Sequence, residues 1–187
     1  MTIYLGIDDT DTRESRGTGR LARAIAAELA RMYTVTGVTR HQLFVHPAVP
    51  YTSHNSSAVI HIHEETNGAV AEIFETAKEL MLADFIEGSA PGICVAGDRK
   101  INGDITHFGL AAKTSIVTQD EARSLAREAG ILLEGLEVPR TASSARSLGW
   151  VSRHRGTMAG LFRRERSGTY AATRRLRRSL IPASTGS

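Results

Sequence analysis

Apolar positions recur along this chain with two periods, and each change of period marks an element. Tyr4-Leu5-Gly6-Ile7 is a short apolar run of strand length. From about residue 19 to residue 32, Leu21, Ile25, Leu29 and Met32 form one helical stripe, with Thr18 as the expected N-cap. Residues 33–45 are rich in Val, Thr and aromatic side chains and predict extended chain with a break at Gly37. Pro47-Ala48-Val49-Pro50-Tyr51 suits neither a helix interior nor a central strand, so it predicts an ordered connection. Over residues 57–63 Ala58, Ile60 and Ile62 alternate with Val59, His61 and His63, the mark of a strand with two different faces. Residues 68–85 place Val70, Ile73, Phe74, Ala77, Leu80 and Met81 on one helical face, and residues 92–96 form another short apolar run.

The order β-α-β-β-α-β predicts an α/β, two-layer, ferredoxin-like core. Beyond it, Gly97-Asp98-Arg99-Lys100 and Asn102-Gly103-Asp104 have loop composition, and residues 115–117 are expected to add a strand. Thr118-Gln119-Asp120-Glu121 is a capping box that opens an additional C-terminal helix through about residue 128. The ordered pattern ends over residues 131–136.

Charge divides the chain differently. Residues 141–187 carry ten arginines and one glutamate, so the overall charge of +3 hides a body with a net of −6. The expected organisation is an α/β nucleotide-binding-like domain over residues 1–140 and an arginine-rich, poorly ordered or weakly packed tail over 141–187. Within that tail Trp150, Met158, Leu161 and Phe162 have the spacing of a short amphipathic helix. The single cysteine, Cys94, excludes an intramolecular disulfide and sits in an apolar run, where burial makes it inert. The start of the chain lacks a basic leader, and no apolar run approaches the roughly 20 residues that span a bilayer. The expectation is a cytoplasmic protein with no membrane partner.

The chemistry concentrates at the start. Gly6-Ile7-Asp8-Asp9-Thr10-Asp11 sets three carboxylates after a strand, and Arg16-Gly17-Thr18-Gly19 leads into a helix. Three such charges repel unless a cation or hydrogen-bond donors compensate them. A divalent ion carrying phosphates, with the phosphates meeting helix amides, would satisfy both halves; turn and cap roles for the same residues are the alternative. His54-Asn55 lies in a polar stretch before a strand and is a second candidate for contact with a nucleotide or substrate. His61 and His63 have metal-ligand spacing, and equally that of the solvated side of a strand. Lys113, one of three lysines, would neutralise a phosphate or stand exposed at a strand edge. Neither a Walker A motif nor a dinucleotide fingerprint is present.

These residues carry a resemblance. Gly6-Ile7-Asp8-Asp9-Thr10-Asp11, then Gly17-Thr18-Gly19-Arg20-Leu21-Ala22, then Pro47-Ala48-Val49-Pro50-Tyr51 with Ser56-Ser57-Ala58, resemble the N-terminal ATP-using domain of the archaeal isoleucine-tRNA agmatinylcytidine synthetases over roughly residues 3–136. The resemblance implies ATP and Mg2+ at Asp8, Asp9 and Asp11, with Asp8 and Asp11 as metal ligands. It also implies phosphoryl-transfer chemistry at Thr18, while Gly17, Gly19, His54 and Asn55 are expected as nucleotide contacts from their own positions beside the helix start and before the strand. The family reads Cys-Thr-Thr-Tyr where this chain has Gly17-Thr18-Gly19-Arg20, and Lys-Thr-Arg-Gly-Asn where it has Thr52-Ser53-His54-Asn55-Ser56. A glycine-rich stretch of the family is replaced by Thr141-Ala142-Ser143-Ser144-Ala145-Arg146, as a truncated or frameshifted homologue would show. The expected function is an ATP- and magnesium-binding domain related to a tRNA cytidine-modifying enzyme, with phosphoryl or nucleotidyl transfer. The alternative is a non-enzymatic or degenerate α/β domain whose basic tail contacts RNA.

Overall fold

The computed structural model describes residues 1–12, 14–15, 17–49, 55–65 and 68–136. The described chain runs β1 (Thr2–Asp8), α1 (Thr18–Leu29), β2 (Thr34–Gln42), β3 (Ser56–His63), α2 (Ala69–Ala83) and β4 (Gly92–Gly97). A short 3-10 turn, Asp98–Lys100, then leads to α3 (Gly103–Thr114), α4 (Gln119–Ala129) and β5 (Leu132–Gly135). The five strands form one sheet in the order β2-β3-β1-β4-β5, with every neighbouring pair antiparallel. Its first four strands and two helices are the expected ferredoxin-like unit.

Strand alternation decides what each face buries. Ile3, Leu5 and Ile7 of β1 are fully buried with Ile60 and Ile62 of β3 and Ile93 and Val95 of β4, under Leu21, Ile25 and Leu29 of α1 and Ile73, Phe74 and Met81 of α2. Each large aliphatic side chain removed from water in this way contributes about 1.5–3 kcal/mol. Val59, Cys94 and Ala96 point to the opposite face, where Ile105, Phe108 and Ala112 of α3 and Ala122 and Ala126 of α4 meet them. Helices α3 and α4 thus add a layer on the second face of the two-layer unit. Burial pushes the Cys94 thiol well above its ordinary range, so it is an inert core residue.

Several sequence expectations change in the structure. The N-cap of α1 is Gly17, not Thr18, which occupies the first helical position. Met32 lies past the end of α1 and is exposed, because the helix stops at Leu29 and the stripe has no core left to meet. Asn102-Gly103-Asp104 is not loop: the Asn102 side chain accepts the Ile105 N–H at 3.0 Å and starts α3. Residues 115–117 form no strand; Ser115 caps α3, and Val117 packs into the second core. The ordered pattern does run to residues 131–136, and its last piece is a strand, β5, which pairs with β4 from Val95↔Leu132 to Gly92↔Gly135. The capping box is present as read: Glu121 N–H donates to Thr118 Oγ1, and Thr118 N–H donates to Glu121 Oε2 at 2.7 Å. The break at Gly37 is a register shift between Val35 and Gly37. The tail, residues 141–187, with its candidate helix around Trp150, Met158, Leu161 and Phe162, lies outside the described residues.

Candidate nucleotide site

Strand β1 is central in the sheet, so its C-terminal end delivers Asp8 to the middle of one sheet edge. Asp8 is the last residue of β1, opposite Gly92 of β4, and is buried. The chain then turns sharply. Asp9 has φ 52, a left-handed conformation that Asp tolerates better than most residues. Its N–H donates to Asp8 Oδ1 at 2.8 Å, and its carbonyl accepts the Ala90 N–H at 3.1 Å. Thr10 is buried, and its hydroxyl meets no hydrogen-bond partner among the described residues. Ser57 Oγ, on β3 one step beyond the last β1–β3 pair, Ile7↔Ala58, is likewise buried with no partner among the described residues.

Asp11 closes the turn onto α1. Its Oδ2 accepts the Thr18 N–H at 3.3 Å, so a carboxylate from the turn satisfies a helix amide that Gly17 has no side chain to reach. Gly17 itself has φ 80, and an added Cβ there would meet Asp11 Oδ2 at 3.6 Å. The glycine is therefore required by the backbone and not by crowding. An added Cβ at Gly19 would meet Arg23 Nη1 at 3.5 Å, an ordinary contact. Arg20, in the same turn of α1, is turned to Asp84 at the end of α2, with contacts of 2.9 and 3.1 Å.

This arrangement brings Asp8, Asp9, Asp11, Gly17 and Thr18 to one sheet end, as the sequence implied. It does not gather them into a cage: among the described residues no three His, Cys, Asp or Glu side chains converge as a metal site. Two separate carboxylates beside a helix N-terminus fit Mg2+ of the kind held by one or two carboxylates, with phosphates and water completing the shell. A negative turn also repels a bare triphosphate, so this donor set suits an anion only together with its cation.

The other candidates fall in different places. Asn55 Nδ2 donates to the Phe44 carbonyl at 2.6 Å, and its own carbonyl accepts the Leu43 N–H at 2.8 Å, so the residue ties the end of β2 to the start of β3. His54 lies outside the described residues. His61 Nε2 and His41 Nε2 both meet Thr39 Oγ1, at 2.8 and 2.9 Å, and His61 stands edge-on to Tyr4, while His63 is exposed. Lys113 stands in the last turn of α3 instead of at a strand edge. Asp98 is at the far end of β1, where its Oδ2 accepts the Thr2 N–H at 3.1 Å. Sequence reasoning missed the burial of Thr10 and the stitch from Ala90. Neither leaves a local signal, because both depend on β4 arriving beside β1. A groove of about 690 Å³ between α4 and β5, lined by Arg123, Arg127, Leu133 and Glu134 among others, was also not foreseen.

No family model matches the chain. The isoleucine-tRNA 2-agmatinylcytidine synthetase TiaS of Pyrococcus horikoshii is 26% identical over 144 residues, which cover 75% of this chain and 33% of that protein. The chain thus spans about a third of the length of its curated relative. Among solved structures, the complex of TiaS with its isoleucine tRNA and ATP has a TM-score of 0.67 at 18% identity, covering 86% of this chain and 36% of that one. The complex of TiaS with the same tRNA, AMPCPP and agmatine gives 0.65 at 19% identity, over 86% and 36%. At these identities the structures show a shared fold. In sequence and in fold, the body of this chain is similar to a segment of the isoleucine-tRNA agmatinylcytidine synthetases.

Proposed function

We propose that the body of this chain binds ATP with Mg2+ at the turn 8–11 and the start of α1, as a domain related to a tRNA cytidine-modifying enzyme. The observation that carries the reading is the buried end of β1, whose Asp8 and Asp11 flank a tight turn beside the glycine-capped N-terminus of α1. The likeness to a protein named for making 2-agmatinylcytidine, and solved with ATP and an isoleucine tRNA, supports it. Asp8 and Asp11 would hold the ion, which when bound neutralises charge that develops on a transferring phosphoryl group. Asp9 holds the turn through its backbone, and Gly17 and Gly19 let a phosphate approach the first turn of α1. The Thr18 hydroxyl, on a buried residue at the positive end of that helix, would then act in phosphoryl or nucleotidyl transfer to a polar acceptor.

Calorimetry with ATP, with and without magnesium, tests the reading. Binding should require magnesium and should fall at least 10-fold in the Asp8→Asn/Asp11→Asn double variant; binding that ignores both changes would sink it. If the chain turns over, Thr18→Ala should abolish phosphate release while ATP affinity stays within a few-fold of wild type. Normal turnover in that variant removes the role given to Thr18.

The arginine count of residues 141–187 favours a second, non-enzymatic reading in which the tail contacts RNA through phosphates alone. Such affinity falls steeply with salt. RNA binding that survives high salt and removal of the tail would count against it.

A further inference from the structure

Strand β2 runs in the same direction as β1, because both are antiparallel to β3. The residues after Gln42 therefore leave the sheet at the end where β1 delivers the acidic turn. Two aromatic rings stand there, Phe44 and His46, stacked at 18° with centroids 5.6 Å apart and each partly exposed. Their backbone is held on several sides. The Phe44 N–H donates to the Ala112 carbonyl at the end of α3, at 3.0 Å, and its carbonyl accepts Asn55 Nδ2. His46 begins a β-turn in which Val49 N–H donates to its carbonyl at 2.9 Å, with Pro47 at the position whose fixed φ suits such a turn. The Ala48 N–H donates to His46 Nδ1 at 3.1 Å, which fixes the plane of the ring and puts the proton of the neutral imidazole on Nε2.

The core does not need this pair. Leu43 reaches the second core and Phe44 is not part of it, while Val45 between the rings is largely exposed. A near-parallel, partly exposed ring pair on a pinned turn is ordered at little entropic cost, and aromatic rings so held are what nucleobases stack upon. The geometry points to Phe44 and His46 as a stacking platform for a nucleobase, with Asn55 fixing its position. This rests on the nucleotide reading for the phosphate site at the same sheet end, one strand away across β3, and adds to it the part that recognises the base. The base comes either from the bound nucleoside triphosphate or from a single-stranded nucleic acid.

His46→Asn removes the ring and keeps an acceptor for the Ala48 N–H, since Asn bonds readily to the backbone two residues on. Phe44→Leu removes the other ring and retains its bulk. Four probes are titrated with magnesium present: ATP, inorganic tripolyphosphate, a short single-stranded oligonucleotide, and an abasic strand of the same length. Thermal melting of each variant accompanies the titrations, and His46→Asn carries the test if Phe44→Leu does not fold. The expected result is a loss of about 10-fold for ATP or for the base-bearing strand, with tripolyphosphate and the abasic strand unchanged. Loss confined to ATP makes adenine the occupant, and loss confined to the strand makes it an RNA base. The platform is overturned if ATP binds no better than tripolyphosphate and the oligonucleotide no better than its abasic counterpart, or if both variants bind every probe as wild type does. Base binding that depends on Phe44 and His46 without tripolyphosphate binding leaves the platform standing and removes the phosphate site.

Discussion

Gly17 and Asp11 show how much of the site is decided residue by residue. With φ 80 and ψ 147, Gly17 lies in a region of backbone conformation almost reserved for glycine, so Gly17→Ala should destabilise the protein by about 1–3 kcal/mol in urea denaturation. An unchanged midpoint would mean that the cap is not as described. Because Gly17 is the cap, Thr18→Ala removes no capping bond and should cost no more than about 1 kcal/mol for its buried methyl. Tyr33 offers a test through pH. Burial, then the hydrogen bond and charge of Glu72, push its hydroxyl up to about 12 from 10.0. Its stabilising contribution is complete below pH 10 and is lost as pH rises from about 10 to 12, where the unfolded chain ionises first. Tyr33→Phe should flatten the stability profile in that window; a slope equal to wild type would assign the effect elsewhere.

The elements were legible where one rule governs them. The alternation of Ala58, Ile60 and Ile62 against Val59 and His61 reports two faces directly, and the Thr118–Glu121 box announces α4. Helix α3 was not legible, because Gly103 and Gly109 weaken helix propensity and its inward residues Ile105, Phe108 and Ala112 are interrupted by glycine. Its start depends on one Asn102 bond, so Asn102→Ala should cost about 1 kcal/mol, as should Thr118→Ala for α4. Both are measurable by thermal unfolding, and equal stability in either variant would show that tertiary packing alone sets that helix start. The acidic turn was legible as three carboxylates between a strand and a helix. Its hydrogen bonding was not, since Asp9 is held by Ala90 and Thr10 is buried only once β4 and the rest of the fold assemble.

At the scale of the whole molecule, the topology explains why the candidate residues lie at one sheet end. The parallel course of β1 and β2 with β3 between them sends the acidic turn, the start of α1 and the Phe44–His46 turn to the same end of the sheet, with α1 over one face and the Phe44 contact to α3 on the other. The groove between α4 and β5 opens two strands away from β1, on the edge strand. Among the described helices none is long and apolar enough to cross a membrane. The central claim, that the turn after β1 is the nucleotide site, is tested most directly by mapping amide chemical shifts of the full chain as ATP and magnesium are added. The account predicts that Asp9, Thr10, Asp11, Gly17, Thr18 and Gly19 move first and furthest, and that omitting magnesium abolishes the response. Shifts confined to Arg123, Arg127, Leu133 and Glu134, with the turn silent, would contradict it.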